Sequence, residues 1–170
     1  MQQPENDADL VFDATPSLKL FIDKDGRWFQ NGMEIIHPQI YLHFNRCLEM
    51  APEGCYQVRM GREICRVEVE DAPFVVRLLS EDGTGGLTVQ LNDGTAEPFD
   101  PARFWMGPGN IPYTLVKGGA FRARFSRPAY HKLAAFIVGS EDETDFYLVI
   151  NGARTPIRRL DQDAEDVSAR

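Results

Sequence analysis

The sequence predicts an α+β, β-rich fold of two lobes, mostly antiparallel strands and hairpins with two short helices. Three observations predict it. Short apolar runs bounded by Gly, Asn and Asp turns outnumber helical periodicities by about nine to two. The two helical stretches do not alternate with strands, so a wound parallel sheet is not expected. The chain has 170 residues, 43% apolar and 11% aromatic, enough for one compact core or two small lobes that share a core.

The elements follow in order. Leu18-Lys19-Leu20-Phe21-Ile22 is rich in strand formers, and Asp23-Lys24-Asp25-Gly26 turns it into Arg27-Trp28-Phe29-Gln30. Asn31-Gly32 is a strong two-residue hairpin signal before Met33-Glu34-Ile35-Ile36, so residues 18–36 read as a three-stranded meander. Pro38 suits the first position of a helix, and Ile40, Phe44, Cys47 and Leu48 fall on one helical face, closed by Ala51-Pro52-Glu53-Gly54. Cys55–Met60 and Glu63–Glu70 read as a hairpin; Val67 and Val69 share one face and Arg66, Glu68 and Glu70 the other. Asp71-Ala72-Pro73 interrupts, then Phe74–Leu79 and Leu87–Leu91 read as strands around the polar loop 81–86. Prolines and glycines break residues 96–119, which are expected to be ordered by packing rather than regular pairing. Phe121–Phe125 reads as a strand, Pro128–Val138 as the second helix with Leu133, Phe136 and Ile137 buried, and 146–158 as a closing hairpin around Asn151-Gly152. The expected organisation is an N-terminal lobe at 17–73, a C-terminal lobe at 74–158, and disordered acidic tails at 1–16 and 159–170.

Charge supports the tails. Residues 1–13 carry Glu5, Asp7, Asp9 and Asp13 with no Lys or Arg, and residues 161–170 carry Asp161, Asp163, Glu165 and Asp166 against Arg170. Nearly all of the net charge of −8 therefore sits at the two ends. An acidic chain with no basic stripe is a poor binder of phosphate backbones, so nucleic acid is not an expected partner. Residues 1–15 show no basic segment followed by an apolar run, and no stretch has the length of a membrane span. The expectation is a cytoplasmic protein with its three cysteines reduced and no membrane partner.

Several residues together resemble a known family. Asp25-Gly26-Arg27-Trp28-Phe29 lies in an early hairpin, Val67-Glu68-Val69-Glu70-Asp71-Ala72-Pro73-Phe74 follows after one helix, and Phe121-Arg122-Ala123-Arg124 and Tyr130 precede a terminal hairpin. As a set, across residues 17–158, they resemble the bacterial family called domain of unknown function 1285. His131, where a second aromatic is expected, and a more polar closing hairpin mark a divergent branch. The resemblance implies a two-lobed β-rich fold with a small first lobe and a larger second one. It implies no activity, cofactor or catalytic residue.

Most motifs for specific chemistry fail on their own terms. Asp23, Asp25 and Glu34 have EF-hand spacing, but Trp28 occupies the position that needs glycine, so a β-turn is expected. Cys47, Cys55 and Cys65 lack paired ligand spacing, and His37, His43 and His131 are scattered, so no metal site is expected. Ser126 sits in no nucleophile elbow and reads as the cap of the second helix. Gly83-Thr84-Gly85-Gly86 and Gly107-Pro108-Gly109-Asn110 precede no helix and read as turns.

Two features remain. Arg66, Glu68 and Glu70 line one strand face, with Asp71 just beyond, and Arg122 and Arg124 line another. Were these faces to meet, they would form a charged groove between the lobes; the plainer alternative is a solvated face with surface ion pairs. Phe104, Trp105 and Tyr113 would line a pocket or plug the seam. The candidate ligand-binding residues are therefore Arg66, Glu68, Glu70, Arg122, Arg124 and Trp105, with no catalytic residue, metal or cofactor assigned. The biochemical function is not legible. The favoured expectation is a non-enzymatic module that binds a small ligand or a protein partner at the seam. The alternatives are an enzyme using the Glu68, Glu70 and Asp71 carboxylates, and a self-associating protein, such as a homodimer, paired through open sheet edges.

Overall fold

The computed structural model describes residues 18–142 and 144–160. Its first sheet holds β1 (Leu20–Ile22), β2 (Trp28–Gln30) and β3 (Met33–Glu34) and, beyond helix α1 (Pro38–Cys47), β4 (Leu48–Met50), β5 (Tyr56–Met60) and β6 (Glu63–Val69). The strand order is β3-β2-β1-β6-β5-β4. The meander forms as expected, with Asn31 and Gly32 both at positive φ in its second turn. β1 then pairs parallel with β6, Leu20 opposite Val67. Helix α1 opens with Pro38 and buries Phe44 and Asn45; Trp28 Nε1 donates to Asn45 Oδ1 at 2.9 Å, which satisfies the indole inside the core.

The second sheet runs β16-β10-β11-β12-β7-β8-β9, from β7 (Phe74–Glu81), β8 (Leu87–Leu91), β9 (Ala96–Pro98), β10 (Phe104–Gly107), β11 (Ile111–Val116), β12 (Phe121–Phe125) and β16 (Arg158–Arg159). Helix α2 (Arg127–Ala134) follows β12, and Ser126 caps it, its hydroxyl accepting from Ala129 N. β13 (Ile137–Gly139), β14 (Phe146–Ile150) and β15 (Ala153–Pro156) make a third, small sheet. Most pairs are antiparallel; β1·β6, β7·β12 and β10·β16 are parallel. The fold is thus α+β and β-rich.

Four expectations need correction. Leu48 is buried, but as a strand residue opposite Val58, because pairing with β5 outweighs one more turn of helix. Residues 96–119 contribute β9, β10 and β11, with β10 and β11 inside the second sheet. Pro112 is tolerated because it lies beyond the residues Tyr113–Val116 that pair with β12. The second helix ends at Ala134, and Ile137 starts β13 instead. Arg159, expected in a tail, pairs with Met106 in β16, and Leu160 N donates to Met106 O at 2.9 Å. The other residues of both tails lie outside the described residues.

One buried apolar cluster joins all three sheets and both helices, running from Leu20, Trp28, Phe44 and Val58 through Phe74, Leu79 and Phe104 to Leu133 and Leu148. Phe99, Phe104 and Phe125 meet edge to face near its centre.

Candidate functional site

The seam between the first two sheets is built around the turn after β1. The Asp23 carboxylate is buried and accepts from Asp25 N at 3.0 Å, Arg27 N at 2.9 Å and Arg27 Nε at 2.7 Å. Gly26 takes φ +75°, and its α-carbon faces the second sheet so closely that a Cβ there would stand 2.6 Å from Asn92 Nδ2. Asn92 uses that approach: its Nδ2 donates to Gly26 O at 3.2 Å, and its Oδ1 accepts from Val75 N at 2.9 Å. One amide side chain therefore ties the turn after β1 in the first sheet to β7 of the second sheet.

A β-bulge supplies a second tie. Along β7, Val76 opposes Leu91 but Leu78 opposes Gln90, so Arg77 is the extra residue. Val76 and Leu79 remain buried on either side, while Arg77 turns outward across the seam and Nη2 donates to Asp25 O at 2.7 Å. Beside this contact a half-open cleft of about 270 Å³ is lined by Arg27, Trp28, Glu34, Ile36, Tyr41 and Arg77, among others. Its two guanidiniums differ. Arg27 lies 2.7 Å from Asp23, 3.9 Å from Asp25 and 4.0 Å from Glu34, and the Asp23 hydrogen bond, then the Asp23 charge, raise its pKa further. The carboxylates with EF-hand spacing thus surround the protein's own cation. Arg77 makes its one bond to a carbonyl and has no ion pair among the described residues.

The sequence-predicted residues divide into two groups. Arg122, Arg124 and Trp105 come together on the second sheet. Arg124 Nη1 reaches Asp71 Oδ2 at 2.8 Å, Tyr113 Oη donates to Asp71 Oδ1 at 2.7 Å, and Arg122 Nη2 donates to the Asp71 carbonyl. Trp105 is 2% exposed and stacks on Tyr113 at 5.6 Å, with Ala72 in the same small cluster. The group clasps the connection between β6 and β7. Arg122 Nε is buried there without a hydrogen-bond partner among the described residues. Arg66, Glu68 and Glu70 are elsewhere and exposed. Arg66 lies 3.8 Å from Glu53, Glu70 Oε2 accepts from Lys24 N at 2.8 Å, and Glu68 has no ion pair or hydrogen bond among the described residues. No contact joins Glu68 to Arg122 among the described residues. Arg77 and its cleft were missed in the sequence, where the signal was a single arginine inside the apolar run Phe74–Leu79.

Other groups are held in resting states. Burial pushes the Cys47 and Cys65 thiols up, away from thiolate character, although His43 Nε2 is 3.7 Å from Cys47 Sγ. Asp82 and Asp142 are held below the usual carboxylate range, first by hydrogen bonds from the Thr84 and Ser140 side chains respectively. No helix among the described residues is long and apolar enough to cross a membrane.

Two solved structures share this architecture. A DUF1285 family protein from Silicibacter pomeroyi DSS-3 superposes with a TM-score of 0.68 at 24% identity, over 82% of this chain and 79% of its own. A DUF1285 family protein from Shewanella baltica OS155 superposes with a TM-score of 0.59 at 19% identity, over 71% of this chain and 94% of its own. At these identities the likeness is one of fold, and in fold the chain is a relative of DUF1285 proteins, whose function is unknown. No family model matches the chain, and no curated protein matches it.

Proposed function

We propose that this chain is a non-enzymatic binding module whose seam cleft takes a small anionic ligand with an apolar body. The observation that carries the reading is Arg77. A bulge turns Arg77 outward onto the wall of the cleft, and among the described residues only a backbone carbonyl engages its guanidinium, while Arg27 beside it is surrounded by three carboxylates. A planar guanidinium with donors to spare suits a carboxylate or phosphate. Ile36 and Tyr41 offer the apolar wall, and clefts between lobes are where small-molecule sites concentrate. We place the module in the cytoplasm, where the free thiols of Cys47, Cys55 and Cys65 stay reduced.

Native mass spectrometry of the purified chain, followed by titration with inorganic phosphate and hexanoate, tests this. The expected result is a retained anion, or binding of either probe, that Arg77→Ala weakens by about tenfold or more. An empty chain that binds neither probe, or an Arg77→Ala variant that binds as well as the parent, would sink it.

Self-association is a second reading, favoured by one observation. β3 is an edge strand, and Met33 within it and Ile36 just beyond it are 74% and 78% exposed. Light scattering of the parent and a Met33→Lys/Ile36→Lys variant tests it: the parent should be dimeric and the variant monomeric.

A further inference from the structure

We infer that a separate cavity in the second lobe is a site for a zwitterionic small molecule, an α-amino acid with an apolar side chain. The cavity, about 430 Å³, lies between the second and third sheets and is within the roughly 300–1,000 Å³ usual for small-molecule sites. Tyr130 of α2, Ile137 of β13, Phe146 of β14 and Ile157 give it apolar walls, and Asp145 and Arg159 bring charge to it.

Both charges are placed by structure around them. Asp145 is clamped to Ser140, its N–H donating to the hydroxyl at 3.0 Å and its carbonyl accepting from Ser140 N at 2.8 Å. Arg159 is fixed by β16 opposite Met106, with its guanidinium 5.9 Å from the Phe146 ring centroid. Yet neither the Asp145 carboxylate nor the Arg159 guanidinium has a hydrogen bond or ion pair among the described residues, and they do not pair with each other. Two opposite charges that share a cavity without neutralising one another define a dipolar acceptor. A monoanion would satisfy Arg159 and be repelled by Asp145; a monocation would do the reverse. A ligand that carries both an ammonium and a carboxylate offers each charge its partner, and an apolar side chain suits the walls formed by Tyr130, Ile137 and Ile157.

The test is calorimetric titration of the full chain with L-phenylalanine, L-leucine and L-methionine, and with 3-phenylpropionate and phenethylamine as singly charged controls. At least one amino acid should bind. The matching deaminated or decarboxylated control should be weaker by about tenfold or more, as should that amino acid on Asp145→Asn and on Arg159→Ala. Asp145 and Arg159 are exposed, so both variants should keep the parent's circular dichroism, and Arg77→Ala should leave this binding unchanged. No binding by any of the three amino acids up to about 10 mM overturns the site. Equal binding of 3-phenylpropionate and L-phenylalanine, or binding indifferent to Asp145→Asn, overturns the zwitterion.

Discussion

Arg77 Nη2 donates to Asp25 O at 2.7 Å, so the bulged residue of β7 in the second sheet grips the turn after β1 in the first sheet. The bond is exposed and its acceptor is neutral, which keeps its contribution small. Arg77→Ala should cost about 1 kcal/mol in urea denaturation. The same substitution should weaken anion binding much more than it weakens the fold. A variant that lost both in equal measure would make Arg77 a structural strut alone.

Gly26 and Asn92 should behave as a coupled pair. Gly26→Ala places a Cβ 2.6 Å from Asn92 Nδ2 and 3.0 Å from Val75 Cγ2, at φ +75°. We expect a loss of about 1–3 kcal/mol. Asn92→Ala removes the nearest obstacle, so Gly26→Ala should cost less in that background. The backbone penalty, about 1 kcal/mol, should remain. A double-mutant cycle by chemical denaturation reads the difference; strict additivity would contradict the close approach.

Asp71 links stability to alkaline pH through Tyr113. Burial, then the hydrogen bond to Asp71 and the Asp71 charge, push the phenol above its ordinary range, although Arg122 and Arg124 oppose this. The folded chain therefore holds this proton longer than the unfolded one. The stability it contributes is complete below about pH 10 and is lost as pH rises through the folded pKa. In Asp71→Asn, tyrosinate absorbance should appear at lower pH, and stability at neutral pH should fall by about 2–3 kcal/mol, because Arg124 loses its counter-charge.

Asp93 governs the acid side. Burial pushes its carboxyl up, but hydrogen bonds from Lys117 and Thr95, with the Lys117 charge, outweigh burial and leave it below the usual range. The Lys117 ammonium is 2.7 Å from Asp93 Oδ2, and the Asp93 side chain is only 4% exposed. With its folded pKa depressed, this group contributes stability that is present above about pH 4 and lost as pH falls through the folded value. Lys117→Met leaves the carboxylate buried without its cation. Stability at pH 7 should fall by about 2–4 kcal/mol, and acid unfolding should begin at higher pH than in the parent. Denaturation curves over a pH series check both.

Local signals in the sequence were read well, and non-local ones were not. Pro38, Ile40 and Phe44 announced α1, Asn31-Gly32 and Asn151-Gly152 announced their turns, and Ser126 announced its cap. β10 and β11 were hidden because Pro108, Pro112 and Gly109 break every local pattern, while the pairing that holds Trp105 opposite Tyr113 is visible only in three dimensions. Arg122 and Arg124 were correctly read as one face. Their partner is Asp71 rather than Glu68, because the chain turns between β6 and β7 and leaves Glu68 on the far sheet. Arg77 escaped notice since a bulge is a misfit between two strands, and neither strand records it alone.

The parallel pairing of β1 with β6 has a consequence for how the chain is made. The meander of β1, β2 and β3 can close as soon as it is synthesised, but the other edge of β1 stays bare until β6 has emerged and returned to cover it. The same delay recurs when β7 waits for β12. Closing such long loops comes late and is slow. The nascent protein must therefore carry one bare strand edge, that of β1, until β6 emerges, and then a second, that of β7, until β12 emerges; these intervals, rather than the finished fold, are when it is most open to mispairing with its neighbours.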